Sequence, residues 1–303
     1  MEWFFQQLIN GLALGAIYAL IAIGYTMVYG VLRFINFAHS DVLMLGAFAA
    51  YFLAPIVGKF FPPQSFLGAM LITMIAAAIC AVIGMTIEFL AYRPLRRRPK
   101  LTVLITAIGV SLFIEFTAQH KAVFGSGTRP FPQLLPMTDF HFAGHVMNSN
   151  DIVVLVTTVI LLALLWFIVQ HTRIGTAMRA VSFNMPAAAL MGVNVDRIVS
   201  FTFGLGSALA AIAGILYAMK APGIEPLMGV QPGIRAFIAA VLGGIGNLPG
   251  AALGGVVLGV VETYAGGIPG VSNYRDGIAF AMLIAILIFR PTGLLGKGQI
   301  EKV

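Results

Sequence analysis

Apolar stretches of about twenty residues recur along the whole 303-residue chain, separated by short polar breaks. A helix rises about 1.5 Å per residue, so a stretch of that length matches the hydrocarbon thickness of a bilayer. Nine segments qualify as crossings: Leu8–Val31, Val42–Val57, Phe66–Tyr92, Leu101–Phe124, Ile152–Val169, Ile198–Met219, Ile234–Ile245, Ala251–Tyr264 and Ile278–Phe289. The seventh and eighth are short. They fit two thin helices or one re-entrant hairpin, a form tolerated only where protein covers the backbone. With 59% hydrophobic and 10% charged residues the chain cannot clothe a water-facing surface, because a soluble domain carries about 25% charged residues. The expected fold is an all-α polytopic membrane protein with about eight or nine transmembrane helices, a single transmembrane domain over residues 1–303.

The net charge of +7 raises nucleic acid as a partner, but the placement of the charges argues against it. Most lie in short breaks between crossings, where the positive-inside bias accounts for them. Twelve of the 18 basic residues fall at the Arg33 turn, in the Arg93–Lys100 loop, in residues 171–197, and from Arg290 to the C-terminus. Placing these segments inside puts the N-terminus outside and the C-terminus inside, with an odd number of crossings. The remaining six, Lys59, Lys121, Arg129, Lys220, Arg235 and Arg275, then lie outside, as does the longest loop, 125–150. That loop carries His141 and His145, four apart, but Pro130, Pro132, Pro136 and Gly144 interrupt any long helix, and no cysteine joins them. No metal site is expected. Cys80, the one cysteine, allows neither an intrachain disulfide nor a thiolate cluster. The start, MEWFFQQ, lacks the basic region of a cleaved signal peptide, and its aromatics suit an interfacial anchor.

The polar island between the fifth and sixth crossings is the most marked departure from the apolar pattern. It reads HTRIGTAMRAVSFNMPAAALMGVNVDR over residues 171–197. Inside it, NMPAAALMG has the signals of a short helix. Asn184 can cap it, Pro186 suits its first turn, Ala187, Ala188 and Ala189 favour it, and Gly192 can end it in a left-handed conformation. Asn194 or Asp196 can then cap the next crossing. Such an element is either an ordinary loop helix lying on the membrane or a docking knob for a partner, with Arg173 and Arg179 facing acids at its rim.

Other marks lie within the apolar segments. GGIGNLPGAALGG places Gly246, Gly250 and Gly254 at four-residue steps, a spacing that lets membrane helices approach closely or leaves a thin, movable backbone beside a path. RFINFAHSD places Asn36 and His39 on one face where the first crossing meets the second, as a cap with an interhelical hydrogen bond or as the lining of a path. Glu88, Glu115 and Glu262 sit in apolar runs, with Glu88 near Arg93 and able to snorkel to the inner face. Three carboxylates are too few for an ion relay. No phosphate loop, nucleophile elbow or metalloprotease motif occurs, so the chain is expected to bind no nucleotide cofactor and to catalyse no reaction itself.

Five blocks carry a resemblance: YALIAIGY (18–25), INFAH (35–39), RAVSFNMPAAALMGVNVDR (179–197), AAVLGGIGNLPGAALGG (239–255) and RPTGLLG (290–296). Together, in this order, they resemble the LivH-type permease subunits of branched-chain amino acid ABC transporters. Ser40 departs from the pattern, standing where that family would have glycine after INFAH. The resemblance implies two inverted helical bundles in a bacterial inner membrane. It implies as partners a LivM-type permease, two ATPase subunits of LivG and LivF type that carry ATP and Mg, a periplasmic solute-binding protein and surrounding lipid. The 171–197 island is then a cytoplasmic coupling-helix loop, with Arg179, Asn184, Pro186, Ala187, Ala188 and Gly192 matching its motif. Asn36, His39, Glu115, Gly246, Gly250, Gly254 and Glu262 become candidates for the translocation path or for helix packing. Leucine, isoleucine and valine are the implied substrates, with another amino acid, an amide or urea as alternatives. A free-standing secondary transporter is the competing class.

Overall fold

The computed structural model describes residues 2–96, 98–142 and 144–296. Arg97, Lys297 and Lys302, counted above among the inner charges, lie outside the described residues. The helices are α1 (Glu2–Leu32), α2 (His39–Val57), α3 (Phe66–Ile87), α4 (Lys100–Gln119), α5 (Ser149–His171), α6 (Arg173–Phe183), α7 (Met185–Leu190), α8 (Val195–Lys220), α9 (Val230–Gly243), α10 (Leu248–Gly267) and α11 (Arg275–Phe289). Among the described residues, eight helices are long and apolar enough to cross a membrane. Helix α9, at 14 residues, falls short of that length, whereas α10 has 20. The seventh and eighth segments fold as two helices joined by the turn at 244–247.

Helix α1 is the axis of the bundle, with Ala13 to Ile23 almost wholly inside protein. Its partner along most of its length is α10. Glycines make this possible: Gly11 and Gly15 of α1 face Gly255, Val256, Gly259 and Val260 of α10, backbone against backbone. A Cβ at Gly15 would lie 2.8 Å from the Val256 Cα and 2.9 Å from its carbonyl oxygen, atoms that cannot step aside. Gly15→Leu should therefore lower the unfolding temperature of the detergent-solubilised protein, an overpacking cost of about 1–3 kcal/mol or more. Gly30→Ala in the same helix, where a Cβ meets nothing within 4 Å, should leave it unchanged.

Not all the spaced glycines pack. Gly250 and Gly254 close on Gly243 and Ala239 of α9, but Gly246 lies in the turn at φ +96° with nothing within 4 Å of a built Cβ. The four-residue stripe thus begins at Gly250. Gly244, at φ +104°, ends α9 in a conformation that side chains disfavour. The C-terminal segment seals this turn: the N–H groups of Leu294 and Leu295 donate to the carbonyls of Leu242 and Gly243 at 2.8 and 3.0 Å, and Asn247 Nδ2 donates to the Leu295 carbonyl at 2.6 Å.

The two ends of the bundle sort as the charge pattern requires. At one end Arg33 donates to the Ser182 carbonyl at 3.4 Å, and Arg93 and Arg96 both reach Asp196. At the other end Gln6 exchanges two hydrogen bonds with the Val146 backbone, at 2.8 and 3.0 Å, and Lys220 pairs with Asp151 at 2.5 Å. The 125–150 loop lies at this second end and forms short strands. β1 (Arg129–Pro130) pairs antiparallel with β4 (Gly223–Ile224), and β2 (Asp139–Phe142) forms a hairpin with β3 (His145–Asn148). His141 and His145 thus stand on opposing strands, paired with Val146 and Phe142 respectively.

Candidate functional site

The polar island folds as α6 and α7 joined to the membrane helices at fixed corners. Thr172 caps α6 by accepting from the Gly175 N–H at 3.0 Å, and its hydroxyl donates back to the Ile168 carbonyl at 2.6 Å. Gly175 lies so close to the Ile168 and Val169 carbonyls that no side chain fits there. Arg179 donates to the carbonyls of Val169 and Gln170 at 2.5 and 3.1 Å, and to the Gln170 side-chain oxygen at 2.8 Å. These are carbonyls that the end of α5 leaves without helical partners. Arg179 thus braces the corner between α5 and α6 and, like Arg173, remains exposed.

Helix α7 has six residues, too few for stability of its own. Its ends and one buried contact hold it. Asn184 accepts from the Ala187 N–H at 3.0 Å, Pro186 occupies the first turn, and Gly192 follows at φ +84°. Asn194, not Asp196, caps α8, accepting from the Arg197 N–H at 3.1 Å. Ala188 is 5% exposed and packs in a cluster with Val181, Met185, Val193 and Val195. It is the seat of the helix, and the outward face belongs to residues the sequence pattern had not singled out. Phe183, Leu190 and Met191 are 86%, 89% and 85% exposed. Three large apolar side chains, Phe183 at the end of α6 and Leu190 and Met191 at the end of α7, are thus exposed around the capped helix.

Asp196 is engaged elsewhere. It accepts from Arg93 and, at 2.8 Å, from Arg96, which also reaches Glu88. Ser200 of α8 donates to the second Glu88 oxygen at 2.6 Å. Glu88 is 0% exposed, so it does not snorkel to the surface. It begins a π-helical stretch, Glu88–Tyr92, that follows α3. The basic loop after α3 is in this way clasped to the start of α8.

Inside the bundle the candidate polar residues separate. Asn36 and His39 do not share a helix face. Asn36 lies in the linker before α2 and accepts from Tyr92 Oη at 2.6 Å, whereas His39 opens α2 and packs on Gly24 and the ring of Tyr25. Ser40 sits in the first turn of α2, donates to the Phe37 carbonyl at 2.9 Å and fills the space left by Gly229 and Gly233, so no tight turn is needed there. Asp41 is 1% exposed and accepts from Ser111 of α4 at 2.5 Å, with Glu115 one turn further along α4. Glu262 of α10 meets Arg235 of α9 at 3.2 Å. Arg235, counted above among the outer charges, is in fact lodged between helices.

The profile described as "Branched-chain amino acid transport system / permease component" matches residues 7–287 of the chain. The high-affinity branched-chain amino acid transport system permease protein BraD of Pseudomonas aeruginosa is 41% identical over 308 residues, covering 99% of this chain and 98% of that protein. The corresponding permease proteins LivH of Salmonella typhimurium and of Escherichia coli K12 are each 38% identical, again over 99% of this chain and 98% of theirs.

Proposed function

Since the chain belongs to the branched-chain amino acid transport permease family, we propose that it carries leucine, isoleucine and valine inward across the bacterial inner membrane, driven by ATPases bound at its basic, cytoplasmic end. It is a multi-pass membrane permease and a transport component, not an enzyme. Its partners in this reading are a second, LivM-type permease, two ATPase subunits of LivG and LivF type that hold ATP and Mg, and a periplasmic solute-binding protein that delivers substrate to the end carrying the 125–150 loop.

One observation carries the reading. Phe183, which ends α6, and Leu190 and Met191, at the end of the braced helix α7, are exposed at the basic end, where a partner's cleft can cover them. Closure of the ATPases on ATP pushes α7, and because Arg179 ties α6 to the end of α5, the push enters the membrane helices directly. Substrate must bind the outward-open and inward-open states differently for this to be coupled transport. Branched aliphatic side chains need no hydrogen bonds, so a mostly apolar route suits them.

Reconstitution tests the proposal. In liposomes the chain alone should pass no leucine. The set of permease pair, ATPases and loaded binding protein should take it up only with Mg-ATP. Flux through the lone chain driven by an ion gradient would place it among secondary transporters instead.

A further inference from the structure

Where α1, α9, α10 and α11 meet, in the half of the bundle nearer the 125–150 loop, the helices enclose a mixed-charge cluster. Arg235 Nη1 lies 3.2 Å from Glu262 Oε1 and donates to Tyr18 Oη at 3.2 Å, and Arg235 Nη2 lies 2.8 Å from Asp276 Oδ1. Tyr18 is 0% exposed and Glu262 4%. The cluster is not closed upon itself: Glu262 Oε2 and Arg235 Nε are buried without any hydrogen-bond partner. A buried carboxylate oxygen left without a donor is costly, and its persistence calls for a reason. Asp276, by contrast, has a side chain 59% exposed and can give up its place to water.

We propose that this cluster is the station at which the charged head group common to all amino acids is held during passage. The proposal rests on the reading that the cargo is an amino acid. An aliphatic side chain crosses the bundle at little cost, but the α-carboxylate and α-ammonium both lose water, and each needs a charged partner in its place. Arg235 exchanges Asp276 for the substrate carboxylate, a planar fork meeting a planar acceptor. The ammonium donates to Glu262, whose Oε2 already lacks a donor. Tyr18 Oη keeps its bond to Arg235 and fixes the guanidinium. The exchange is neutral overall, since a zwitterion enters a site that contains both signs. The cluster therefore reads the part of the substrate that leucine, isoleucine and valine share.

The experiment uses the full transporter in proteoliposomes, with binding protein and leucine saturating, and reads uptake alongside ATP hydrolysis stimulated by the loaded binding protein. Glu262→Gln preserves shape and removes the charge. It should lower uptake about tenfold or more while stimulated hydrolysis and the melting temperature of the complex stay near wild type. Arg235→Gln should lower uptake as far but also lower the melting temperature, because it strands the buried Glu262 carboxylate without a cation; Arg235→Lys should retain more uptake than Arg235→Gln, and Asp276→Asn should be nearly silent. Uptake by Glu262→Gln within about twofold of wild type would overturn the proposal. Equal loss of uptake, hydrolysis and melting temperature in Glu262→Gln would make the cluster a structural brace and overturn it too. Neither result touches the proposed function, which stands or falls on the ATP dependence of wild-type uptake.

Discussion

Leu190→Asp is expected to abolish ATP-driven uptake while leaving the permease folded. Leu190 is 89% exposed, so its replacement removes no internal contact. A partner cleft that closes over it would have to bury an unpaired carboxylate, and truncating a central apolar anchor alone commonly costs 2 kcal/mol or more. Uptake in proteoliposomes should fall roughly a hundredfold, and the ATPase subunits should no longer co-purify with the permease. Met191→Asp should match it, and Leu190→Met, which keeps an apolar contact, should retain most activity. Ala188→Asp is a different experiment. Ala188 is buried on the inner face of α7, so a charge there unseats the helix itself and disturbs the Val181–Val195 cluster. Uptake preserved in Leu190→Asp and Met191→Asp would remove the exposed face from the coupling mechanism.

Arg96→Ala should be the most damaging single change to stability among the surface arginines. Its side chain is 13% exposed and serves two acids, Glu88 at 0% and Asp196 at 45%. Removing it strands a fully buried carboxylate with only the Ser200 hydroxyl for company. Breaking a buried pair from one side typically costs about 3–5 kcal/mol, because the remaining charge stays desolvated. The detergent-solubilised protein should melt well below wild type or fail to accumulate. Adding Glu88→Gln should recover much of the loss, since the stranded group is then neutral. Arg93→Ala is the control: both partners in the Arg93–Asp196 pair are more than a third exposed, and about 0–1 kcal/mol is expected. Equal melting of Arg96→Ala and wild type would mean that Glu88 finds water or another donor.

The membrane helices were legible because lipid imposes a length and a composition on every crossing. Helix α9 blurred that signal: it is apolar but short, and sequence alone left open whether it and α10 formed one hairpin. Local chemistry in the island was equally readable, since the cap at Asn184, the first-turn Pro186 and the left-handed Gly192 depend only on near neighbours. What failed was everything set by distant partners. In a six-residue helix of small side chains, periodicity does not say which alanine turns inward, and Ala188 became buried through Val181 and Val193. The bonds from Arg179 to the last carbonyls of α5 were not legible either. Gly246 kept the spacing of a packing stripe but fell in a turn. Arg235 passed for an outer-loop charge because its partners, Tyr18, Glu262 and Asp276, lie 217, 27 and 41 residues away. Phe183, Leu190 and Met191 are ordinary apolar residues in a chain full of them, and only the fold shows that they point away from it.

The clasp of Arg93 and Arg96 on Asp196 and Glu88, with Ser200 donating to Glu88, bears on what a stroke on α7, as proposed above, would move. Helix α3 with its π-helical tail is riveted to the foot of α8, just as α6 is riveted to the foot of α5. A force arriving between α6 and α8 thus meets two welded struts, and neither can swing while its neighbour stays behind. In the proposed coupling the load would pass to α5 through one tie and to α3 and α8 through the other. A charge-neutral severing of the rivets at Glu88 and Asp196 would leave a transmission that slips: the motor turns, and the gate beyond it lags.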